Sequence, residues 1–270
     1  MKYLETYLNK IIARGNVQLA DSIKKTAEDV GNAHIKNFSF VSHEIGLLFG
    51  NVQSGKTGQM FGILCKAADL GFSAFVLLTT DNVVLQQQTL DRVKSDLDGF
   101  CICGENDSCL FIENCLKDPV IVVLKKNTKV LRLWANVFGT TGFMKGNPLF
   151  IIDDEADAAS LNTLVNKKRQ STINKHLDTI KNGASSSLYL QVTGTPQSIF
   201  LQTNASGWHP LFTYYFKPGK GYLGGDFFFP KNGNPGCVTY LDGLKSPEHD
   251  IVIRHLLVTA QMFSSGERVC

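Results

Sequence analysis

Short apolar runs alternate with longer, helix-length segments between residues 41 and 200. Each run is four or five residues long and lacks alternating polar positions, which is typical of strands buried on both faces. Because such strands occupy parallel sheets with helices on both sides, the pattern predicts an α/β domain at 41–200. The predicted strands are Ile45–Phe49, Ala74–Leu78, Val120–Leu124, Leu149–Ile152 and Leu188–Val192.

The segments between these runs predict helices, and the two flanking regions differ from the alternating part. Residues 1–40 carry apolar positions at helical spacing and predict an amphipathic N-terminal helical segment. From residue 201 the alternation stops. Residues 201–270 are rich in Gly, Pro and aromatic residues and predict an irregular or β appendage, or the start of a following domain. The predicted central helices are Thr57–Leu70, Asn82–Leu97, Thr128–Phe138 and Ala158–Lys181.

The octet GNVQSGKT follows the first predicted strand and fits the pattern G-x-x-x-x-G-K-[ST]. Glycines permit the tight turns by which consecutive N–H groups surround an anion, while the Lys reaches the outer phosphates and the hydroxyl binds Mg²⁺. The helix that follows offers its positive N-terminal end to the same anion. A plain glycine-rich turn is the alternative. The pattern predicts that a nucleoside triphosphate binds to Gly50, Gln53, Ser54, Gly55, Lys56, Thr57 and Gly58.

The segment LFIIDDEADAAS, residues 149–160, places a cluster of acids after a buried strand. Clustered carboxylates repel each other, so a bound cation would stabilise them. In proteins with a phosphate loop, one strand-end carboxylate holds Mg²⁺ and a neighbour orients the attacking water. We assign these roles to Asp154 and Glu155, with Thr57 as the other Mg²⁺ ligand. A solvated acidic helix start is the alternative, because acids favour helix N-termini.

The last predicted strand ends in Thr193-Gly194-Thr195-Pro196. Two hydroxyls at a strand end beside the acids can hydrogen-bond Asp157 and couple the nucleotide state to movement. An ordinary turn is the alternative, since this tetrapeptide is good turn chemistry.

The order of these motifs resembles the first RecA-like lobe of superfamily 2 helicases over residues 41–200. Five sequence motifs are similar to those of the Z-one domain family: GNVQSGKT, VVLKKNTKVL, IIDDEAD, VTGTPQ and GYLGGDFF. Those proteins are bacterial helicase-like ATPases, often labelled endonucleases and associated with restriction or phage defence. The resemblance implies a P-loop ATPase with ATP and Mg²⁺ as cofactors, in which Lys56 and Glu155 are catalytic.

The resemblance also implies partners. It places a nucleic-acid backbone, expected to be DNA, against Thr79, Thr80, Asn82, Lys125, Lys126 and Asn127. A helicase motor has two RecA-like lobes with an arginine on the second, so we expect a second lobe or partner subunit outside these residues. Nuclease activity finds no support in this segment, because the sequence contains no D/E-x-K triplet.

Composition narrows the class of protein further. The chain of 270 residues is 43% hydrophobic with a net charge of +3, which permits an acidic partner without arguing for one. No apolar run approaches the ~20 residues of a membrane span, and seven cysteines without a secretion signal predict a cytoplasmic protein with free thiols. The spacing of Cys101, Cys103, Cys109 and Cys115 leaves zinc binding as a second interpretation, since structural zinc sites favour C-x₂₋₄-C pairs.

Two other function classes remain open from the sequence. One is a P-loop enzyme without motor activity, such as a small-molecule kinase or a nucleotide switch. The absence of a guanine-specific N-K-x-D sequence argues against the switch, and DEAD followed by T-G-T-P argues against the kinase. The other is a nucleotide-dependent assembly module that recruits partners with little turnover of its own.

Overall fold

The computed structural model describes residues 2–51, 54–115, 117–141, 147–161, 170–201 and 207–218, all within the compact unit Met1–Tyr222. Most of the predicted appendage at 201–270 therefore lies outside the described residues. Within them, seven strands form one sheet in the order β3-β4-β2-β5-β6-β1-β7, and every paired strand is parallel to its neighbour. The strands are β1 His43–Phe49, β2 Ala74–Thr79, β3 Cys101–Cys103, β4 Val120–Lys125, β5 Leu149–Asp154, β6 Ser187–Thr193 and β7 Phe212–Tyr215.

Helices cover both faces of this sheet, which confirms the predicted α/β fold with a phosphate-loop pattern after the first strand. The chain moves from β1 through β2 to the edge strand β3 and then reverses direction. Because parallel crossovers are right-handed, the reversal moves the later helices to the other face. The helices are α1 Tyr3–Ala13, α2 Val17–Val30 (followed by a π-helical turn, Gly31–Ile35), α3 Lys56–Asp69, α4 Val83–Asp96, α5 Ser108–Asn114, α6 Thr128–Thr140, α7 Thr172–Gly183 and α8 Gln197–Phe200.

Among the described residues, two large hydrophobic clusters and a small one around Leu47, Ala156 and Ile199 fill the spaces between the sheet and its helices. The first joins α1, α2, α3 and α4 to one face of the sheet, with Ile23, Phe61 and Leu64 fully buried. The second joins α5, α6 and α7 to the other face around Trp134. The N-terminal segment thus shares a core with the sheet, because α1 and α2 pack on α3.

The structure differs from the predicted elements at both edges of the sheet. The edge strands β3 and β7 were not predicted. β3 is only three residues long, and β7 alternates half-buried and exposed positions, so neither shows a continuous apolar run. β7 pairs with β1, and Phe216 lies in the first cluster, so the sheet continues past residue 200, where the predicted lobe ended.

One predicted helix begins later than expected. We predicted a helix over Ala158–Lys181, whereas α7 begins at Thr172. The hydroxyl of Ser171 accepts a hydrogen bond from the Asn174 amide and caps this helix. Residues 162–169 of the predicted helix lie outside the described residues. Among the helices that the structure describes, none has the length and apolar character needed to cross a bilayer.

Candidate active site

The predicted phosphate loop connects β1 to α3, and its two glycines are required for different reasons. A Cβ on Gly50 would lie 2.3 Å from the ring of Phe216, so only glycine fits between the loop and the residue after β7. Gly55 has φ +87°, in the left-handed region that favours glycine. The Gly50 amide donates to the main-chain oxygen of Thr193, which ties the start of the loop to the end of β6. Gln53 lies outside the described residues.

The N-terminus of α3 is the part of the site best suited to hold an anion. This 14-residue helix begins at Lys56, and among the described residues no side chain is bonded to its N-terminus as a cap. The N–H groups of Lys56 and Thr57 and the helix dipole therefore remain available for phosphate, whereas the Gly58 amide donates to the Gly55 carbonyl at 3.0 Å. Ser54 closes the loop internally, because its hydroxyl donates to the main-chain oxygen of Asn51. Thr57 is half-buried and Gly58 is buried within the first turn.

The acids at the end of β5 meet this loop. Lys56 Nζ lies 3.9 Å from Glu155 Oε1, with 11% of the Lys56 side chain and 42% of the Glu155 side chain exposed. Burial, followed by the charge of Glu155, raises the pKa of Asp154 to about 6. A cation at this carboxylate would stabilise its charged form. Mg²⁺ prefers oxygen ligands and keeps several waters, and the Thr57 hydroxyl and the Asp154 carboxylate are oxygen ligands of that kind.

Glu155 has an unusual backbone conformation for a non-glycine residue. Its φ is +51°, in the left-handed region. Such a conformation costs on the order of 1–3 kcal/mol and persists where the surroundings fix it. Here Lys126 Nζ donates to the main-chain oxygens of both Asp154 and Glu155, at 2.8 Å each. The Glu155 amide also donates to Asp154 Oδ1 at 3.1 Å.

Lys126 belongs to a fully buried polar cluster beneath these acids. Its ammonium group lies 2.9 Å from Asp153 Oδ1, and both side chains are 0% exposed. Tyr189 on β6 donates its hydroxyl proton to Asp153 Oδ2 at 2.7 Å. Burial and the Asp153 charge hold the pKa of Tyr189 well above its usual value, so it stays a donor. The predicted contact between Lys126 and a nucleic acid is therefore wrong, because this lysine is committed to the protein interior.

Asp157 lies within reach of both threonines of the Thr-Gly-Thr-Pro turn. Thr193 Oγ1 donates to Asp157 Oδ1 at 2.6 Å, and Thr195 Oγ1 donates to Asp157 Oδ2. The Thr195 amide donates to Thr193 Oγ1 at 2.9 Å, which closes the turn. Thr193 thus contacts both the start of the phosphate loop, through Gly50, and the acidic tetrad. Whether this clasp couples nucleotide to movement stays a prediction.

The remaining candidate nucleic-acid residues lie where β2 and β4 end. Asn82 is exposed and caps α4, and Asn127 is half-buried and caps α6. Thr80 is also half-buried, whereas Lys125 pairs with Glu105 at 3.6 Å with 20% of its side chain exposed. Thr79 is 3% exposed with its hydroxyl bonded to main-chain oxygens, so the contact predicted for it is wrong as well.

The cysteines of the zinc interpretation are spread over two elements. Cys101 and Cys103 lie on β3, Cys109 is exposed on α5, and Cys115 ends that helix. Burial raises the pKa values of Cys103 and Cys115, which keeps these thiols protonated. Among the described residues, no group of three or more His, Cys, Asp and Glu side chains is arranged to hold a metal.

Sequence reasoning missed the roles of Asp153 and Tyr189. A signal for Asp153 was present, because a strand buried on both faces that carries an Asp needs a buried partner for it. Lys125, which ends β4, and Lys126, which follows it, were the candidate cations. No comparable signal identified Tyr189, since its hydroxyl partner depends on the register Asp153↔Gln191 between β5 and β6.

Comparisons with known proteins add little to this geometry. No protein-family model matches the chain, and no curated protein matches it. Among solved structures, it is similar to the Hef helicase domain of Pyrococcus furiosus, with 16% identity and a TM-score of 0.43 over 71% of this chain and 37% of that one.

Two further structures have comparable likeness. The DNA-packaging ATPase B204 of Sulfolobus Turreted Icosahedral Virus has 15% identity and a TM-score of 0.35, over 57% of this chain and 67% of that one. The ORC2 protein of Aeropyrum pernix, in ADPNP–ADP complexes, has 12% identity and a TM-score of 0.36, over 71% of this chain and 46% of that one. The chain thus spans little more than a third of the Hef helicase domain structure. Likeness at these values carries no conclusion about function.

Proposed function

We propose that this chain is the ATP-binding and ATP-hydrolysing lobe of a helicase-like DNA motor, of the Z-one type associated with restriction or phage defence. The observation that supports it best is the approach of Lys56 Nζ to Glu155 Oε1, 3.9 Å apart. This contact joins a phosphate-loop lysine at an uncapped helix N-terminus to a carboxylate at a strand end. Those are the two groups that ATP hydrolysis requires on either side of the γ-phosphate.

The proposed chemistry begins when Lys56 exchanges Glu155 for the outer phosphates of ATP. The freed Glu155 carboxylate then accepts a proton from water as the water oxygen bonds to the γ-phosphorus. The bond from the γ-phosphorus to the bridging oxygen breaks, and ADP leaves with that electron pair. Mg²⁺, held by Thr57 and Asp154, would neutralise charge on the β- and γ-phosphate oxygens.

Coupling to movement and to DNA is the finer part of the proposal. The clasp between Asp157 and the two threonines joins the acid cluster to β6, and Thr193 joins β6 to the phosphate loop. The N-termini of α4 and α6 lie near each other, because Asn127 Nδ2 donates to Asp81 at 3.1 Å. Asn82 is exposed and Thr80 is half-buried at these capped N-termini, and amide and hydroxyl side chains donate to backbone phosphates, which supports this edge of the sheet as the DNA-facing side. A second lobe or subunit would supply the arginine that completes the motor.

One observation favours the nucleotide-dependent assembly module as a second function. Val83, Val84 and Leu85 are consecutive apolar residues at the start of α4, with 66%, 65% and 48% of their surfaces exposed. An exposed apolar patch of this kind is typical of a protein contact. Such a module would bind nucleotide and exchange it without turnover.

Titration calorimetry and phosphate release on two variants test the proposed function. Lys56→Ala should abolish tight ATP binding, because it removes the charge that faces the outer phosphates. Glu155→Gln should bind ATP and lose turnover, since a carboxamide cannot accept the proton. Equal loss of ATP binding in both variants would refute these roles. ATP binding by the unchanged chain without any Glu155-dependent phosphate release would favour the assembly module instead.

A further inference from the structure

Gln191 on β6 is a polar residue in the fully buried part of the sheet. It is 0% exposed, and its register partners are Asp153 on β5 and Leu47 on β1. Among the described residues, neither its Nε2 atom nor its Oε1 atom has a hydrogen-bond partner. A buried carboxamide left in this way is uncommon in a folded protein and costs stability. Nothing in the chemistry proposed above uses it.

Two polar networks lie on either side of Gln191 along β6. Side chains two residues apart on a strand share a face, so Tyr189 and Thr193 flank it. Tyr189 belongs to the buried cluster, because its hydroxyl donates to Asp153. Thr193 belongs to the clasp, because its hydroxyl donates to Asp157 at 2.6 Å. A carboxamide that can both donate and accept thus separates the two networks.

Opening of the clasp leaves the Thr193 hydroxyl in need of another acceptor. Thr193 is 0% exposed, and a buried hydroxyl without an acceptor is costly. Asp157 is half-buried and Thr195 is exposed, so these two groups can exchange each other for water. Gln191 Oε1 has no described donor, and Thr193 lies about 6.6 Å further along the strand. A glutamine side chain and a hydroxyl together span that distance.

We infer that Gln191 is a positioning residue that accepts a hydrogen bond from Thr193 when ATP binding opens the clasp. The inference rests on the proposed function, because ATP is the ligand that separates Lys56 from Glu155 and so releases the turn that carries Asp157. Without nucleotide, Thr193 bonds Asp157 and the carboxamide is unpaired. With ATP bound, Thr193 bonds the carboxamide and Asp157 turns to solvent. The two positions differ little in free energy, so nucleotide binding can select between them.

Gln191→Leu tests this, because leucine fills a similar volume without a carboxamide. The variant removes an unpaired buried group from the closed clasp and removes the acceptor that the open clasp needs. We therefore expect its urea midpoint without nucleotide to exceed that of the unchanged chain. In the unchanged chain, a non-hydrolysable ATP analogue should speed hydrogen exchange of the amides of residues 193–195. In Gln191→Leu these amides should exchange slowly with or without the analogue.

Titration calorimetry supplies a second measurement. Gln191→Leu should bind ATP about tenfold more weakly, because ATP binding must then open a stabilised clasp. In Thr193→Val, which lacks the hydroxyl, the same substitution should change ATP affinity by no more than about twofold. Ser186→Ala is the matched control, since it removes another buried polar atom without a described partner, next to the first residue of β6. It should leave both exchange and affinity unchanged.

Each contrary result has a distinct meaning. A lower urea midpoint in Gln191→Leu would show that the carboxamide is paired in the closed clasp, and the inference would fail. It would also fail if Gln191→Leu kept the analogue-dependent exchange of the unchanged chain, or if Ser186→Ala lost ATP affinity to the same extent. In these cases the proposed function stands, because the unchanged chain still binds ATP. Absence of ATP binding by the unchanged chain would refute the proposed function and this inference with it.

Discussion

The ammonium group of Lys126 donates a 2.8 Å hydrogen bond to the main-chain oxygen of Glu155. The same group bonds the main-chain oxygen of Asp154 and pairs with Asp153, with no exposure to solvent. A buried lysine thus holds the main chain where the candidate base turns into a left-handed conformation. Lys126 thus fixes the main chain of Glu155 from the protein interior, while Lys56 lies 3.9 Å from its carboxylate on the side of the phosphate loop.

We therefore predict that Lys126→Met lowers turnover more than ATP binding. The change leaves Asp153 charged and buried without its cation, which should destabilise the protein by about 3–5 kcal/mol. It also releases the Glu155 carbonyl, so the carboxylate loses its fixed position. ATP affinity and phosphate release should be measured at a temperature at which urea unfolding shows the variant to be folded.

A matched control separates this effect from general destabilisation. Lys181 is also buried, at 6% exposure, and pairs with Asp178 at 3.5 Å on α7. Lys181→Met should lower the free energy of unfolding without changing the turnover rate per folded molecule. If both variants lose turnover in the same proportion, Lys126 has a structural role only.

The clasp at Asp157 leads to a second prediction, on communication between the phosphate loop and β6. Because Thr193 contacts both Gly50 and Asp157, nucleotide binding in the loop should change the hydrogen-exchange protection of the amides of residues 193–195. Asp157→Ala should still bind ATP, but these amides should exchange rapidly with or without nucleotide. Exchange measured by mass spectrometry with a non-hydrolysable ATP analogue checks this, with Thr213→Val as an exposed control. The same nucleotide-dependent protection in Asp157→Ala would show that the clasp is not the link.

The sequence predicted the central part of the site because its signals are local. Lys56 and Glu155 each follow a continuous apolar run, and the carboxyl ends of parallel strands share one edge of the sheet. The buried pairing of Lys126 was not predictable in the same way. Lys125 and Lys126 are adjacent and chemically alike, but Lys125 pairs with Glu105 whereas Lys126 is buried and pairs with Asp153 of β5. Which of the two lysines becomes buried depends on strand twist and register, and a local sequence pattern does not predict these.

The edge strand β7 illustrates the same limit at the level of packing. Gly50 looks like a phosphate-loop glycine in the sequence, yet in the structure it also makes room for the Phe216 ring. We predict that Gly50→Ala destabilises the chain by about 1–3 kcal/mol, because its Cβ forces the ring or the loop to shift. Urea unfolding measures this. Gly139→Ala on α6, where a Cβ would meet nothing within 4 Å, should be neutral or slightly stabilising. Equal stability of both variants would mean that the Phe216 ring does not pack against the loop at Gly50.

The last prediction concerns the rate of hydrolysis by this chain alone. An arginine beside the γ-phosphate raises the rate of phosphoryl transfer about 10³–10⁵-fold in other nucleotide hydrolases. Of the arginines that the structure describes, Arg14 pairs with Asp96 at 2.8 Å and Arg92 lies over the Phe61 ring at 5.9 Å. Burial, followed by the positive charge of Arg132, lowers the pKa of His176 on α7. None of the interactions described for these three arginines reaches the phosphate loop or the acids.

We therefore expect the 270-residue chain to bind ATP with Mg²⁺ and to hydrolyse it far below the ~10 s⁻¹ that is typical of enzymes. Steady-state phosphate release at saturating ATP measures this, with Glu155→Gln as the background. Addition of a second RecA-like lobe should then raise the rate, since it supplies the missing positive charge. Turnover near the typical rate by the chain alone would contradict the prediction. It would mean that this lobe completes its own site, and replacement of Arg169, Arg254 and Arg268, which lie outside the described residues, would then identify the arginine responsible.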